Sequence, residues 1–298
     1  LQKILGGIMA GNDNNLDTFP NILARNVSKF GNSPAYREKE YGIWQTWTWS
    51  EANNEIMGLA KGLIKLGVKE GDHVAVIGRN RPYLYWSLIA AQHIGAVPVP
   101  LYQDAVADEM EYILTHCSAK FAIVGDQEQV DKIHEIQGKL TGFKDIVYVD
   151  PKGLRKYDKS KLHSFSDVSE TGKKDSGDLQ AELNKRVSKI TGDTTSVLLY
   201  TSGTTGRSKG VVQTHKAIIG ASSGANEFDR WSPDDNIVCY LPMAWVGDFM
   251  ISVGQVMVAG ACLNCPEGPD TVQMDVKEMG PSVFFGPPPL WERLKTDV

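Results

Sequence analysis

The sequence predicts an α/β fold in which two βα series build largely parallel sheets that helices cover on both faces. One observation is that short apolar runs alternate with helical patterns over residues 73–150, and again after residue 193. Strands and helices that alternate at this spacing imply right-handed crossovers and parallel strands. The other is that 298 residues, of which 42% are hydrophobic, suffice for a sizeable core.

The chain begins with a segment that we predict to be loosely held, followed by a helix and a hairpin. Residues 1–18 contain a Gly/Asn-rich piece and show no periodicity, as is common at chain termini. A helical pattern covers residues 19–30. Aromatic and polar residues then alternate over 35–49 as in a hairpin, with the turn near Tyr41 and Gly42.

The first βα series starts with a helix whose beginning is marked by Thr48 and Glu51. These residues have the spacing of a capping box, and Gly67 marks the end of the helix. The following elements alternate along the chain. We predict strands at 73–78, 96–101, 120–125 and 145–150, and helices at 82–95, 108–117 and 127–140.

A polar stretch, residues 151–192, separates the two series. It is rich in Lys, Asp, Ser and Gly, and we interpret it as a surface excursion or linker with one helix at 178–189. This interpretation divides the chain into three parts: an N-terminal segment (1–75), a first α/β subdomain with the polar excursion (76–192), and an incomplete second α/β subdomain with the signature loop (193–298).

The second series contains three predicted helices and three predicted strands, with helices at 215–228, 247–259 and 271–279 and strands at 236–241, 261–265 and 282–286. The final residues enter a further helical pattern without a cap or a return strand, which predicts that the chain is a truncated piece of a longer protein. Apolar side chains on this last helix are expected to favour self-association, namely Leu290, Trp291 and Leu294.

Charge and composition exclude several classes of protein. The net charge is -5 and no basic tract is present, so nucleic acid is not an expected partner. Four cysteines are too few for a disulfide scaffold, and we interpret Cys262 and Cys265 as buried thiols rather than metal ligands. Because no membrane-spanning run and no signal peptide are found, we expect an intracellular, soluble protein with a cytoplasmic location.

The stretch VLLYTSGTTGRSKGVV, residues 197–212, is the element around which we expect the site to be organised. Two apolar strands flank a polar loop in which Gly203 and Gly206 can adopt positive φ, so that successive N–H groups can face phosphate oxygens. Hydroxyl donors and positive charge come from Thr201, Ser202, Thr204, Thr205, Arg207 and Lys209. The pattern predicts a phosphate-binding loop, with a polar hairpin turn as the alternative.

The position of the lysine argues against one class of nucleotide-binding protein. A Walker-type P-loop has its lysine directly after the second glycine. Lys209 follows Gly206 by three residues. The spacing therefore disfavours a P-loop kinase or GTPase.

The loop resembles the signature of the adenylate-forming enzymes, the family of acyl-CoA synthetases, peptide-synthetase adenylation domains and luciferases. The family pattern is Y-T-S-G-T-T-G-x-P-K-G-V, and Ser208 stands where it has proline. The runs RNRPYLYWSLIAAQHIGAVPVPLY and DEMEYILTHCSAKFAIV resemble the first half of long-chain fatty acyl-CoA synthetases, and LPMAWVG and VFFGPPPLWERL resemble later family elements. The resemblance extends from about Phe19 to the last residue.

This resemblance implies the N-terminal domain of an adenylate-forming enzyme, truncated before the C-terminal domain, that uses ATP, Mg²⁺ and coenzyme A. No metal ligand is expected within the chain, because the family's Mg²⁺ glutamate, ribose-binding aspartate and catalytic lysine would lie beyond Val298. Trp245 and Gly286 would line the substrate pocket, and Thr204 and Lys209 would be catalytic. The nucleotide would be bound by Thr201, Ser202, Gly203, Thr204, Thr205, Gly206 and Lys209.

Several residues near the expected site have two interpretations each. Trp245, where the family usually has histidine or another aromatic residue, is either a gate or a packed ring. His215 contacts a ligand, or it caps a helix or fills a boundary site. Asp248 caps the following helix or takes part in catalysis. Phe284 and Phe285 line an apolar pocket or belong to a core strand.

The implied function is ATP-dependent activation of a medium- or long-chain fatty acid and transfer of the acyl group to coenzyme A. The fragment itself is expected to be inactive. Two alternatives stay open: a ligase of this family for another carboxylic acid, and a nucleotide-binding or structural domain without turnover. Expected partners are the fatty acid, ATP and CoA, while a peripheral membrane contact of the parent protein and self-association of the chain are left open.

Overall fold

The computed structural model describes residues 16–201, 207–288 and 291–292. In these ranges the strands form a five-stranded sheet, a four-stranded sheet and a two-stranded hairpin. The strands are β1 (Pro34–Glu40), β2 (Ile43–Thr48), β3 (His73–Ile77), β4 (Val97–Leu101), β5 (Phe121–Val124), β6 (Asp145–Tyr148), β7 (Leu162–Ser164), β8 (Thr195–Thr201), β9 (Lys209–Thr214), β10 (Asn236–Val238) and β11 (Cys262–Cys265).

Helices connect most of these strands. They are α1 (Phe19–Phe30), α2 (Trp49–Leu66), α3 (Pro82–His93), α4 (Ala107–His116), α5 (Gln127–Ile136), α6 (Phe165–Lys173), α7 (Asp178–Val187), α8 (His215–Asp229), α9 (Val246–Asp248), α10 (Val256–Ala259) and α11 (Val272–Met279). A π-helical segment, Phe249–Gln255, joins α9 to α10. The helix predicted at 247–259 is thus present, with a wider turn in its middle.

The five-stranded sheet is parallel throughout and has the order β4-β3-β5-β6-β7. Val74 and Val76 of β3 enter one hydrophobic core, whereas Ala75 and Ile77 enter another on the opposite face. Alternate side chains of a strand point to opposite faces, so both faces of this sheet are buried. This arrangement confirms the predicted fold class.

The four-stranded sheet has the order β10-β11-β1-β2 and joins residues from distant parts of the chain. Strand β1 is parallel to β11 and antiparallel to β2. Tyr41 and Gly42 connect β1 to β2 with φ angles of 50° and 75°, as a type I′ turn requires, which confirms the predicted hairpin. The predicted division at residues 75 and 192 stays a prediction. Across it, β1 of the first segment pairs with β11 of the third.

Helix α3 is buried on all sides and packs in the core that the two sheets share. Its Trp86 ring makes edge-on contacts with Tyr36 of β1, at 5.8 Å between centroids, and with Trp47 of β2, at 5.4 Å. A helix that is apolar around its whole circumference is typical of such a central position. The helix that precedes it, α2, has the predicted capping box of Thr48 and Glu51 and ends at Gly67.

The interpretation of residues 151–192 as a polar excursion is wrong for most of its length. Strand β7 extends the parallel sheet beside β6, and α6 packs against α2. The side chains of Leu162, Phe165 and Leu183 are buried. A Cβ at Gly172 of α6 would lie 1.9 Å from the carbonyl oxygen of Gly58, so α2 and α6 are in backbone contact there. The helix predicted at 178–189 is confirmed as α7.

The strand predicted at 282–286 is reduced to a single bridge. Val283 pairs in parallel with Ile237 of β10, and no longer ladder forms over the described residues. Phe284 is partly exposed and Phe285 is 41% exposed. The core-strand interpretation of these two rings is therefore wrong.

Candidate active site

The predicted phosphate-binding loop connects β8 to β9. These strands are antiparallel, and Thr201 pairs with Lys209 at the end of the ladder nearest the loop. Both residues are exposed. The structure thus places two of the predicted nucleotide-binding residues opposite each other, while the others lie outside the described residues, namely Ser202, Gly203, Thr204, Thr205 and Gly206.

A cavity of about 170 Å³ lies at the carboxyl ends of strands from both sheets. Its wall includes Asn80 after β3, Tyr102 after β4, Cys239 after β10 and Pro266 after β11. The two sides are tied together because the Asn80 side-chain amide donates to the Leu241 carbonyl at 2.7 Å. Ligands of open α/β sheets bind at this edge.

The predicted substrate-pocket residues Trp245 and Gly286 lie in one aromatic group, which consists of Trp245, Phe285, Gly286 and Trp291. The centroids of the Trp245 and Phe285 rings are 6.3 Å apart, and Trp291 Nε1 donates to the Gly286 carbonyl at 2.9 Å. A Cβ at Gly247 would lie 2.2 Å from the Trp245 ring. The indole therefore rests directly on the backbone of the next turn.

The aromatic group borders an open groove of about 350 Å³. Phe285 lines this groove together with Trp231, Ile251 and Phe284. Within the described residues, no hydrogen bond or ring contact joins the aromatic group to Thr201 or Lys209. The structure therefore assembles the predicted site residues in two groups, the loop ends and the aromatic group, of which Phe285 lines the groove.

Asp248 is buried beside the groove and accepts two side-chain hydrogen bonds. Its Oδ2 accepts from Tyr85 Oη at 2.8 Å and its Oδ1 accepts from Ser252 Oγ at 2.8 Å. Burial raises the pKa of its carboxyl to about 7. The side chain caps no helix, so the capping interpretation is wrong. It directly precedes the π-helical segment, a feature often found at functional sites.

The comparison with protein families decides the identity of this arrangement. The family model described as AMP-binding enzyme matches residues 23–297. The chain belongs to the AMP-binding enzyme family. The loop between β8 and β9 and the cavity at the carboxyl ends of the strands are thus parts of an adenylate-forming fold.

Relatives of this AMP-binding protein include ligases named for fatty acids. It is 27% identical over 282 residues to the long-chain-fatty-acid–CoA ligase ACSBG2 of Homo sapiens, covering 93% of this chain and 41% of that one. It is 30% identical over 252 residues to fatty acyl-CoA synthetase A of Dictyostelium discoideum, covering 82% of this chain and 35% of the other. The chain spans about two fifths of the length of these relatives.

Solved structures with the same fold include two CoA ligases. One is a long-chain-fatty-acid–CoA ligase of Archaeoglobus fulgidus, with a TM-score of 0.73 and 19% identity over 89% of this chain and 50% of that one. Another is the anthranilate CoA ligase AuaEII in complex with anthranoyl-AMP, with a TM-score of 0.73 and 21% identity over 90% and 49%. Both confirm the fold predicted for this AMP-binding chain.

The raised pKa of Asp248 predicts a pH-dependent effect of Asp248→Asn on stability. Between pH 4 and 7 the folded protein keeps a proton that the unfolded chain releases, so the carboxyl lowers stability as pH rises. Asparagine removes this effect. Relative to the parent sequence, the free energy of unfolding of the variant should rise by about 1.4 kcal/mol per pH unit in this window and level off above pH 7.

Denaturant unfolding of both proteins at a series of pH values measures this difference. Asp193→Asn, which removes an exposed carboxylate paired with Lys216, is measured alongside as a surface control. A difference for Asp248→Asn that stays constant with pH would mean that burial does not raise the pKa of this carboxyl.

His215 occupies a structural position. Its Nδ1 accepts from the Phe19 backbone N–H at 3.3 Å, and burial lowers the pKa of the imidazole to about 4. The helix is capped by Thr214, whose Oγ1 accepts from the Ala217 N–H at 3.3 Å. The ring is buried and joins α1 to α8, so the structure supports a structural role and neither the helix cap nor a partly exposed boundary site.

The cysteines are buried thiols, as predicted. Cys239 and Cys265 have their sulfur atoms 3.4 Å apart, and burial raises the pKa of Cys262 to about 11. No group of three or more His, Cys, Asp or Glu side chains in the described ranges could hold a metal ion. The residues described here thus do not by themselves fit the Mg²⁺ that the family resemblance implies, and no reaction step is assigned to it.

Two further features were not predicted from the sequence. The cavity wall at Asn80 and Tyr102 could have been found, because residues that follow parallel strands meet at one edge. The hydrogen bond between Tyr85 and Asp248 joins residues 163 positions apart, and no local pattern predicts it.

No described helix is long and apolar enough to cross a membrane.

Proposed function

We propose that the whole protein activates a medium- or long-chain fatty acid with ATP and transfers the acyl group to coenzyme A. The observation that carries the proposal is the sequence YTSGTTGRSKGVV between β8 and β9, within a chain that the AMP-binding family model matches over residues 23–297. The relatives named as long-chain-fatty-acid–CoA ligases support the choice of acid.

In the proposed reaction the fatty carboxylate attacks the α-phosphorus of ATP and pyrophosphate leaves. The thiol of CoA then attacks the acyl carbonyl of the adenylate, and AMP leaves. The demand on the protein is to stabilise negative charge on the departing pyrophosphate. An ammonium group about 4 Å from a phosphate charge supplies on the order of 4 kcal/mol at an effective dielectric of about 20, before desolvation.

The loop provides the groups for this task. We assign the stabilisation of pyrophosphate to Thr204 and Lys209, and nucleotide binding to these two residues with Thr201, Ser202, Gly203, Thr205 and Gly206. The exposed pair of Thr201 and Lys209 at the loop ends supports the assignment, because both side chains are accessible to a ligand. Mg²⁺ belongs to the proposal for the whole protein only.

We assign acyl recognition to the aromatic group with Trp245 and Gly286. The groove beside it is lined by apolar residues such as Ile251 and Phe284 together with polar ones such as Gln255 and Ser282. Burial of one CH₂ group contributes about 0.8 kcal/mol, which corresponds to about a fourfold gain in affinity per added methylene. A longer acyl chain should therefore be favoured until the groove is filled.

A panel of acids tests the substrate proposal. The measurement is acid-dependent exchange of labelled pyrophosphate into ATP by the full-length protein, with saturated acids of increasing length, benzoates and amino acids. We expect kcat/KM for medium- and long-chain acids to exceed that for short ones by more than about tenfold. Benzoates or amino acids that outrun every fatty acid would reject the fatty-acid proposal while keeping the adenylate chemistry.

A second function applies to the 298 residues by themselves. Because this chain spans about two fifths of its relatives, we propose that it binds nucleotide without turnover when isolated. A coupled assay of AMP release on the isolated chain tests this second proposal, since steady acyl-CoA production would show a complete site. The cytoplasmic location, the absence of nucleic-acid partners and a peripheral membrane contact of the whole protein stay predictions.

A further inference from the structure

One helix, α4, lies beside both ends of the loop between β8 and β9. Tyr112 Oη donates to the Ser208 carbonyl at 3.0 Å. His116 Nδ1 and Tyr200 Oη are hydrogen-bonded at 2.6 Å. Tyr200 directly precedes Thr201, and Ser208 directly precedes Lys209. Helix α4 is therefore hydrogen-bonded to the two residues that directly precede the exposed pair of Thr201 and Lys209.

The rings of this region pack as a continuous series. The Arg207 guanidinium lies 5.0 Å from the centroid of the Tyr112 ring, which is within cation–π range. Tyr112 contacts His116 at 5.6 Å, and His116 contacts Tyr200 edge-on at 5.7 Å. Because Tyr112 and His116 are four residues apart, they lie on one face of α4. Through a single face the helix thus contacts the end of β8 and the residues just before β9.

The hairpin strands are also packed on each other at this level. A Cβ at Gly210 would lie 3.3 Å from the Tyr200 ring and 3.0 Å from Leu198. Tyr200 is 5% exposed, so its ring is enclosed between Gly210 and the imidazole of His116. A displacement of α4 would consequently displace the strand that ends at Thr201.

The contact with Tyr112 holds a position at which the resembled signature has proline and this chain has Ser208. Proline fixes φ at about −65° without any partner. Serine leaves the backbone free to rotate, and here its carbonyl is held by the tyrosine hydroxyl instead. Ser208 is not among the residues with positive φ, and its N–H makes no hydrogen bond within the described residues, so a proline there would break no described hydrogen bond.

We propose that Tyr112 is a positioning residue for the end of the loop before β9. Its contacts with Ser208 and Arg207 take the place of the proline in the resembled signature and so position Lys209. His116 acts in the same way on Tyr200 and Thr201. The proposal rests on the proposed function, because it assigns the loop ends to ATP. The tyrosine is half-buried, and within the described residues its hydroxyl bonds only to the loop end, so its hydroxyl contributes nothing to the core.

The decisive variant is Tyr112→Phe, which removes the hydroxyl and keeps the ring beneath Arg207. The measurements are acid-dependent pyrophosphate exchange and calorimetric titration with ATP, both on the full-length protein. We expect KM and Kd for ATP to rise by about three- to tenfold, as for the loss of one hydrogen bond. KM for the acid should stay unchanged. Tyr112→Ala, which also removes the cation–π contact, should give a larger loss.

A rescue experiment separates positioning from general stability. Adding Ser208→Pro to Tyr112→Phe should restore ATP affinity to within about twofold, because proline restricts φ of residue 208 covalently, next to the carbonyl that Tyr112 holds. The matched control is Tyr157→Phe, whose hydroxyl donates to Asp131 at 2.6 Å and has no bond to the hairpin. The control should leave KM for ATP unchanged.

Three outcomes overturn the proposal: an ATP affinity of Tyr112→Phe equal to that of Tyr157→Phe, a loss that Ser208→Pro does not restore, and equal rises in KM for ATP and acid. Exchange that requires an acid other than a fatty acid would overturn only the substrate part of the proposed function, since the variants can then be compared with that acid. A parent protein that binds no ATP would overturn both.

Discussion

Replacement of Lys209 and Thr204 by alanine in the full-length protein should slow adenylate formation by about a thousandfold, since loss of one donor at a developing negative charge costs about 10² to 10³ in kcat. Lys209 is exposed at the end of β9, where no described side chain neutralises its ammonium group. Acid-dependent exchange of pyrophosphate into ATP measures the effect. KM for the acid should change less than about twofold, because the two substitutions remove no group that we assign to binding the acid.

Lys216→Ala provides a control of equal charge. Lys216 lies seven residues after Lys209, is largely exposed and forms an ion pair with Asp193. If long-range attraction of ATP were the cause, both single lysine variants would lose activity by similar factors, and high salt would reduce the loss in both. Unchanged exchange in the Lys209 and Thr204 double variant would reject the assignment of the loop to pyrophosphate.

Gly172→Ala should destabilise the protein by about 3 kcal/mol, the upper range for overpacking. The new Cβ would lie 1.9 Å from the Gly58 carbonyl oxygen and 2.7 Å from the Gly62 nitrogen, so both contacts are with backbone and cannot be relieved by a rotamer change. Helices α2 and α6 would have to separate. Chemical denaturation should show a lower midpoint with an unchanged slope.

Gly220→Ala is the matched control for this substitution. Gly220 also lies within a helix, and a Cβ there would meet nothing within 4 Å. Alanine should therefore stabilise the protein by up to about 1 kcal/mol through its helix propensity. If residues 151–192 were a polar excursion, Gly172→Ala would behave like Gly220→Ala, and the sign of the difference decides between the two descriptions.

Much of the fold could be predicted from local patterns. The capping box of Thr48 and Glu51, the turn at Tyr41 and Gly42 and the alternation of β3, α3 and β4 depend on residues close in sequence, whose side chains satisfy or fail to satisfy nearby backbone groups. The loop at 201–209 belongs to the same class, since its glycines, hydroxyls and lysine are adjacent.

Other features depend on which elements meet, and only the tertiary structure decided them. Residues 162–173 have few apolar side chains, but Leu162 and Phe165 are both buried, and Gly172 allows α2 and α6 to come into backbone contact. An average over composition conceals this arrangement. Asp248 was open to interpretation as a helix cap, but its side chain is buried, and burial raises the pKa of its carboxyl. Its partner Tyr85 comes from a helix 163 residues earlier, so no local pattern contains this contact.

The sequence by itself determined the strands, helices, turns and the loop chemistry, because these follow from backbone hydrogen bonding and side-chain period over a few residues. The tertiary structure decided the pairing of β1 with β11, the contact of α6 with α2 and the position of Tyr112 beside Ser208. These contacts join residues 96 to 227 positions apart in the chain. Packing energy is a property of surfaces that exist only after the elements have formed.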